Sequence, residues 1–158
     1  MTEPTPSQTV GPFFGFALPF ADDANATRVE SRDATRVEGQ VLDGAGEPVP
    51  DALVEASQGE QFARCRTDRE GAFHFTLRKP VVDDGAPCFE IVVFARGLLR
   101  HLHTRMYFPN DEIANRADRV LQLVEESRRH TLIAHQEADM VRFDIRLQGE
   151  SETVFFAL

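Results

Sequence analysis

The stretch from Phe89 to Phe108, FEIVVFARGLLRHLHTRMYF, constrains the fold more than any other part of the chain. Two apolar runs, 89–95 and 101–108, flank the breaker Arg96-Gly97. Each has the length of a strand and is too short and too β-rich for a buried helix. The first offers no polar face across Ile91, Val92, Val93 and Phe94, which predicts a central strand. The second alternates. Leu102, Thr104, Met106 and Phe108 point one way, and His101, His103, Arg105 and Tyr107 the other. One face of the pair therefore gathers nitrogen bases and cations, which suits a metal, an anion or solvent.

Similar short runs recur on both sides. The segment 37–42 reads as a strand, closed by the turn Asp43-Gly44-Ala45-Gly46. A second strand covers 52–56. The runs 62–67 and 72–77 flank Asp68-Arg69-Glu70-Gly71, which predicts a hairpin with Phe73, Phe75 and Leu77 on one face. After Phe108, Asn110 or Asp111 can cap a helix reaching about Val124, with Ile113, Ala117, Val120, Leu121 and Val124 on one stripe. The segments 131–135 and 141–147 read as another hairpin, and 153–158 is an apolar run that needs cover. About eight short strands and one helix predict a mostly β protein, a sandwich or a barrel, in a single domain over 1–158.

The first twenty residues contain four Pro and two Gly, so they suit neither helix nor ladder strand. Phe13, Phe14, Phe16 and Phe20 make them too aromatic for a solvated tail. They read as an extended arm that packs on its own domain or on a partner. Residues 21–35 read as a surface linker.

Composition narrows the function. A net charge of −9 argues against nucleic acid and anionic membrane as partners, since phosphate binding needs a positive field. The two cysteines, Cys65 and Cys88, lack ligand or disulfide spacing and read as reduced thiols. No charged region precedes an apolar run at the N-terminus, and no segment is long and apolar enough to span a bilayer, so a cytoplasmic location is expected. Thirteen Phe, one Tyr and no Trp leave no room for a site needing two Tyr ligands.

Two local groups could carry chemistry. His101 and His103, two apart on a strand, share a face and could reach one metal ion, with Glu90 and Tyr107 as further donors. No third ligand stands at a diagnostic spacing, so a polar face or an interface explains the pair better than a metal site. Arg96, Arg100 and Arg105 lie within ten residues, and an Arg at a strand end can hold a carboxylate bidentately. Phosphate-loop, nucleotide-fold and Ser/His/Asp signatures are absent.

Five stretches in order carry a resemblance: TPSQTVGPFF at 5–14, GQVLDG at 39–44, FARG at 94–97 with HLHTR at 101–105 and YF at 107–108, RFDIRLQG at 142–149, and ETVFF at 152–156. Together they resemble the intradiol ring-cleavage dioxygenases, and within them the α subunits of the two-chain enzymes acting on protocatechuate. The resemblance implies a β-sandwich with an extended arm and a homologous β subunit as partner. It implies a non-haem Fe(III) held by that partner through two Tyr and two His. Where the family's iron-binding His-x-His strand would stand, this chain has Cys88-Phe89-Glu90, so the resemblance implies no metal in this chain. It also implies that Thr9, Gly11, Pro12 and Arg96 bind substrate, a small aromatic acid cleaved by O2 to 3-carboxy-cis,cis-muconate. Two departures stand out. Phe13 replaces an expected Tyr, and 55–64 is short where the family has a Trp-containing strand and loop. The competing expectation is a stand-alone, non-catalytic β-sandwich module.

Overall fold

The computed structural model describes residues 5–157; residues 1–4 of the arm and Leu158 lie outside it. Among the described residues, nine strands form two sheets. The first has the order β4 (Ala72–Arg78), β1 (Ala34–Leu42), β8 (Met140–Arg142), β7 (His135–Glu137), with β9 (Ile145–Arg146) also paired to β1. The second has the order β3 (Gln61–Arg66), β2 (Leu53–Gln58), β5 (Cys88–Phe94), β6 (Leu102–Tyr107).

Alternation builds the core. In β1 the buried positions include Val37, Gly39 and Val41; in β5 they are Phe89, Ile91 and Val93. These join Phe73, Phe75 and Leu77 of β4 and Val54 and Ala56 of β2 in one cluster. Fully burying a side chain such as Phe89 contributes about 1.5–3 kcal/mol. The chain is therefore a two-sheet β-sandwich, as the short strands predict. A smaller cluster, Ala86, Tyr107, Leu121, Val124 and Leu132, lies beside the main one. Met106 packs into the main cluster and its neighbour Tyr107 into the small one, so both faces of β6 are covered.

The central pair stands where the sequence puts it. β5 and β6 are antiparallel, with Glu90 opposite Arg105 and Val92 opposite His103. β5 lies between β2 and β6.

Elsewhere the chain departs from its local pattern. The runs 62–67 and 72–77 do not form a hairpin, because β3 pairs with β2 and β4 with β1, in different sheets. The turn between them carries the chain from one sheet to the other. Asp68 Oδ1 accepts from Glu70 N–H at 3.0 Å and Ala72 N–H at 2.8 Å. Gly71, at φ +71°, passes so close to β1 that a Cβ would stand 2.6 Å from Val41 O. The hairpin is instead β2–β3, closed by Gly59-Glu60 within the short 55–64 stretch.

The helix after Phe108 is two helices, α2 (Glu112–Ala117) and α3 (Arg119–Leu123), followed by a 3-10 turn at Glu126–Leu132. Asp118 is extended between them and caps α3, accepting from Val120 and Leu121 N–H. The break turns Leu121 and Val124 inward and leaves Ile113 87% exposed. The expected last hairpin, with arms 131–135 and 141–147, is shorter and shifted: 135–137 pair with 140–142, and Thr131 and Leu132 belong to the 3-10 turn. A further short helix, α1 (Phe14–Ala17), interrupts the arm.

Residues 153–156 of the C-terminal run find cover within this chain. Phe156 N–H donates to His103 O at 2.8 Å, Thr104 Oγ donates to Val154 O at 2.7 Å, and Phe155 packs on the main core. These residues do not wait for a partner.

Candidate functional site

The order of the second sheet decides which residues meet. Arg66 ends β3, Asp51 stands two residues before β2, and Arg96 two residues after β5. These strands are neighbours and antiparallel, so the three positions fall at one end of the sheet. Asp51 joins them. Its Oδ1 accepts from Arg66 Nη2, and its Oδ2 accepts from Arg96 Nη2 at 2.9 Å. The bond from Arg66, backed by the charges of Arg66 and Arg96, outweighs slight burial and holds the Asp51 carboxyl below the usual carboxylate range.

The arm lies across the same end. Thr9 Oγ accepts the Gly97 N–H at 2.7 Å, which fixes the arm to the turn after β5. Beyond it, Phe14 N–H donates to Gly11 O at 3.3 Å, and α1 brings the Phe16 ring to 5.1 Å from the Arg66 guanidinium. The structure thus brings two of the four sequence-nominated residues, Thr9 and Arg96, to one place. Gly11 and Pro12 follow in an exposed turn, and a Cβ on Gly11 would meet nothing within 4 Å. Arg96 keeps 55% of its side chain exposed, and one of its donor nitrogens is engaged by Asp51. The rest of its planar fork is available to an anion.

The other two arginines do not join it. Arg105 pairs with Glu90 across the strands at 2.6 Å. Arg100 lines a shallow cleft of about 140 Å³ with Gln8, Val10, Phe94 and His101. The partners Asp51 and Arg66 carry no signal of their own in the sequence. They become visible only once β2 is known to lie between β3 and β5.

The resemblance implies ferric iron held by two Tyr and two His, and this chain's donors do not fit that set. Tyr107 is fully buried and donates its hydroxyl to Asp118 Oδ1 at 2.9 Å; burial, together with that bond, pushes its pKa up and outweighs the lowering effect of Arg105. His101 and His103 stand ring to ring, 4.6 Å between centroids, with Phe94 5.3 Å from His101. Burial, then the neighbouring His101, pushes the His103 pKa down. Among the described residues no group of three or more His, Cys, Asp or Glu stands close enough to hold a metal ion. Cys65 and Cys88 are free and half-buried, and burial raises the Cys88 thiol to about 11.

No family model matches the chain. Curated proteins do, two of them as follows. The protocatechuate 3,4-dioxygenase alpha chain of Burkholderia cepacia is 36% identical over 190 residues, covering 96% of each chain. That of Pseudomonas putida is 38% identical over 192 residues, covering 96% of this chain and 95% of its own. Both alignments are longer than the 158 residues here, so the relatives carry segments that this chain lacks. Among solved structures, the dioxygenase domain of a carbohydrate-binding fusion protein from Streptomyces sp. SirexAA-E matches with a TM-score of 0.60 at 18% identity, covering 93% of this chain and 99% of that one. Hydroxyquinol 1,2-dioxygenase from Pseudomonas putida DLL-E4 matches with a TM-score of 0.58 at 18% identity, covering 92% of this chain and 62% of that one. At such identity the structural likeness establishes the fold.

Proposed function

The chain belongs to the family of protocatechuate 3,4-dioxygenase alpha chains, and from that premise we propose that it completes the substrate pocket of a two-chain dioxygenase whose β subunit holds the ferric iron. The reaction is the intradiol cleavage of protocatechuate, in which both atoms of O2 enter the ring-opened product, 3-carboxy-cis,cis-muconate. The iron in the partner supplies the activation of the catechol toward O2. This chain's share is binding and orientation.

The observation that carries the reading is the junction of arm and strand end. Thr9 Oγ holds the Gly97 N–H, so the arm and Arg96 present one surface. Arg96 receives the substrate carboxylate in a charge-assisted, bidentate geometry. Gly11 and Pro12, in the exposed turn that follows, form the wall of the pocket facing the partner. The exposed rings of Phe13 (78%), Phe16 (68%) and Phe20 (71%) support the arm as the surface that meets the β subunit. The commitment of the single Tyr to Asp118 supports placing the iron in the partner. No helix among the described residues is long and apolar enough to cross a membrane.

The test is Arg96→Ala in the complex with the β chain. A hydrogen-bonded charge is worth about 1.5–3 kcal/mol, so KM for protocatechuate should rise roughly 10- to 100-fold. Catechol, which lacks the carboxylate, should be turned over as before. An unchanged KM for protocatechuate refutes the role of Arg96.

A further inference from the structure

Three charged side chains meet at the end of the second sheet, and Arg96 is the most exposed of them, at 55% against 35% for Arg66 and 32% for Asp51. Asp51 divides its carboxylate between two guanidinium groups, Oδ1 to Arg66 and Oδ2 to Arg96. Arg66 is the rear member. Phe16 lies over its guanidinium, and its Nε stands 3.2 Å from where a Cβ on Gly15 would be. Among the described residues that buried Nε finds no acceptor. Among the described residues Arg66 therefore has one charged partner, Asp51, and little freedom to leave it.

We propose that Asp51 is a positioning residue that fixes the Arg96 guanidinium for the substrate carboxylate, anchored from behind by Arg66 and the arm. This rests on the reading of Arg96 as the carboxylate-binding residue. The argument is geometric. A lone Arg at a strand end samples many rotamers, and ordering it on binding costs part of the affinity it provides. Asp51 removes that cost by holding Nη2 from one side, which leaves the opposite N–H groups free. Asp51 cannot swing away with Arg96 because Arg66 holds its other oxygen. Its backbone sits at φ +67°, a conformation that Asp accepts more readily than bulkier residues, so the carboxylate is delivered from a fixed turn. Charge is matched as well. Two guanidinium groups and one carboxylate leave one net positive charge for one carboxylate of substrate. The low carboxyl pKa of Asp51 keeps the anchor ionised wherever the substrate is.

The test uses the assembled complex with its β chain and two substrates, protocatechuate and catechol. Asp51→Asn keeps the size and the tolerance of positive φ, and loses the ability to accept from both arginines. It should raise KM for protocatechuate about tenfold, the loss of roughly one charge-assisted bond, while KM for catechol moves less than twofold. Arg66→Lys, which keeps the rear charge but not the planar fork, should give a smaller rise with the same selectivity. A general weakening of the fold would raise both substrates' KM alike and lower assembly, and would overturn the proposal. So would an unchanged or lowered KM for protocatechuate, which would make Asp51 a bystander or a competitor for Arg96. Arg96→Ala run beside these variants separates the two claims. If it is selective and Asp51→Asn is not, only the role of Asp51 falls. If it is not selective, the reading of Arg96 falls with it.

Discussion

Replacing Asp118 by Ala should cost this chain much of its stability, although Asp118 lies outside the proposed site. The carboxylate is buried and serves four donors. Oδ1 accepts from Tyr107 OH at 2.9 Å, Val120 N–H at 3.0 Å and Leu121 N–H at 2.9 Å; Oδ2 accepts from Ala86 N–H at 3.1 Å. Loss of the helix cap costs about 1 kcal/mol. The Tyr107 O–H is left buried without an acceptor, which costs about 1–3 kcal/mol more, and the Ala86 N–H adds a similar amount unless water enters. The expected loss is roughly 3–5 kcal/mol, a large share of the usual 5–15 for a domain. In thermal unfolding of the α/β complex this should appear as a fall in Tm of roughly 8–15 °C. Tyr107→Phe alone should cost about 1 kcal/mol, and the double variant should recover 1–2 kcal/mol relative to the sum of the singles. A Tm for Asp118→Ala within about 2 °C of the parent, or strict additivity in the double variant, would refute the claim that this carboxylate organises the corner beneath β6.

Gly39→Ala places a methyl group into the carbonyl oxygen of Phe143 and 2.7 Å from the Phe73 ring. We expect little soluble complex, or a Tm lower by more than about 10 °C, and near-parental thermal unfolding would contradict the close approach of β1 to the 143–144 link. Acid should destabilise the protein through Asp118 and Asp51. Burial raises the Asp118 carboxyl, but the N–H bonds from Leu121 and Ala86, with Tyr107 OH and Val120 N–H, outweigh it and leave the net shift downward. A depressed folded pKa gives stability that is full above the unfolded value of about 3.9 and is lost as pH falls through the folded one. Tm should therefore drop as pH falls below about 4, and Asp118→Asn should flatten that slope; an unchanged slope would remove Asp118 from the account.

The β5–β6 pair was legible because its signals are local. Alternation, β-branched residues and the Arg96-Gly97 breaker all lie within twenty residues. The corner at 68–71 was not, since two short strands around a Gly turn look the same whether they pair or part. Only the buried contact of Gly71 with β1 decides it. The helix break at Asp118 was hidden for a related reason. Its cap is readable, but the Tyr107 hydroxyl and Ala86 N–H that make an extended Asp118 worth keeping come from other parts of the chain. The site divides in the same way. Thr9 and Arg96 came from the resemblance, and the structure joins the arm to the FARG turn through Gly97. Asp51 and Arg66 look like ordinary surface charges until sheet order sets them beside Arg96.

The most direct test of the central claim is iron content and protocatechuate-dependent O2 uptake, measured for this chain alone and for the complex with its β chain. The account predicts no stoichiometric iron and no uptake for the lone chain, and both in the complex, with turnover there requiring a higher protocatechuate concentration after Arg96→Ala. Stoichiometric iron and turnover in the lone chain would contradict it, and would move the chemistry to donors in this chain, with His101 and His103 the first to replace.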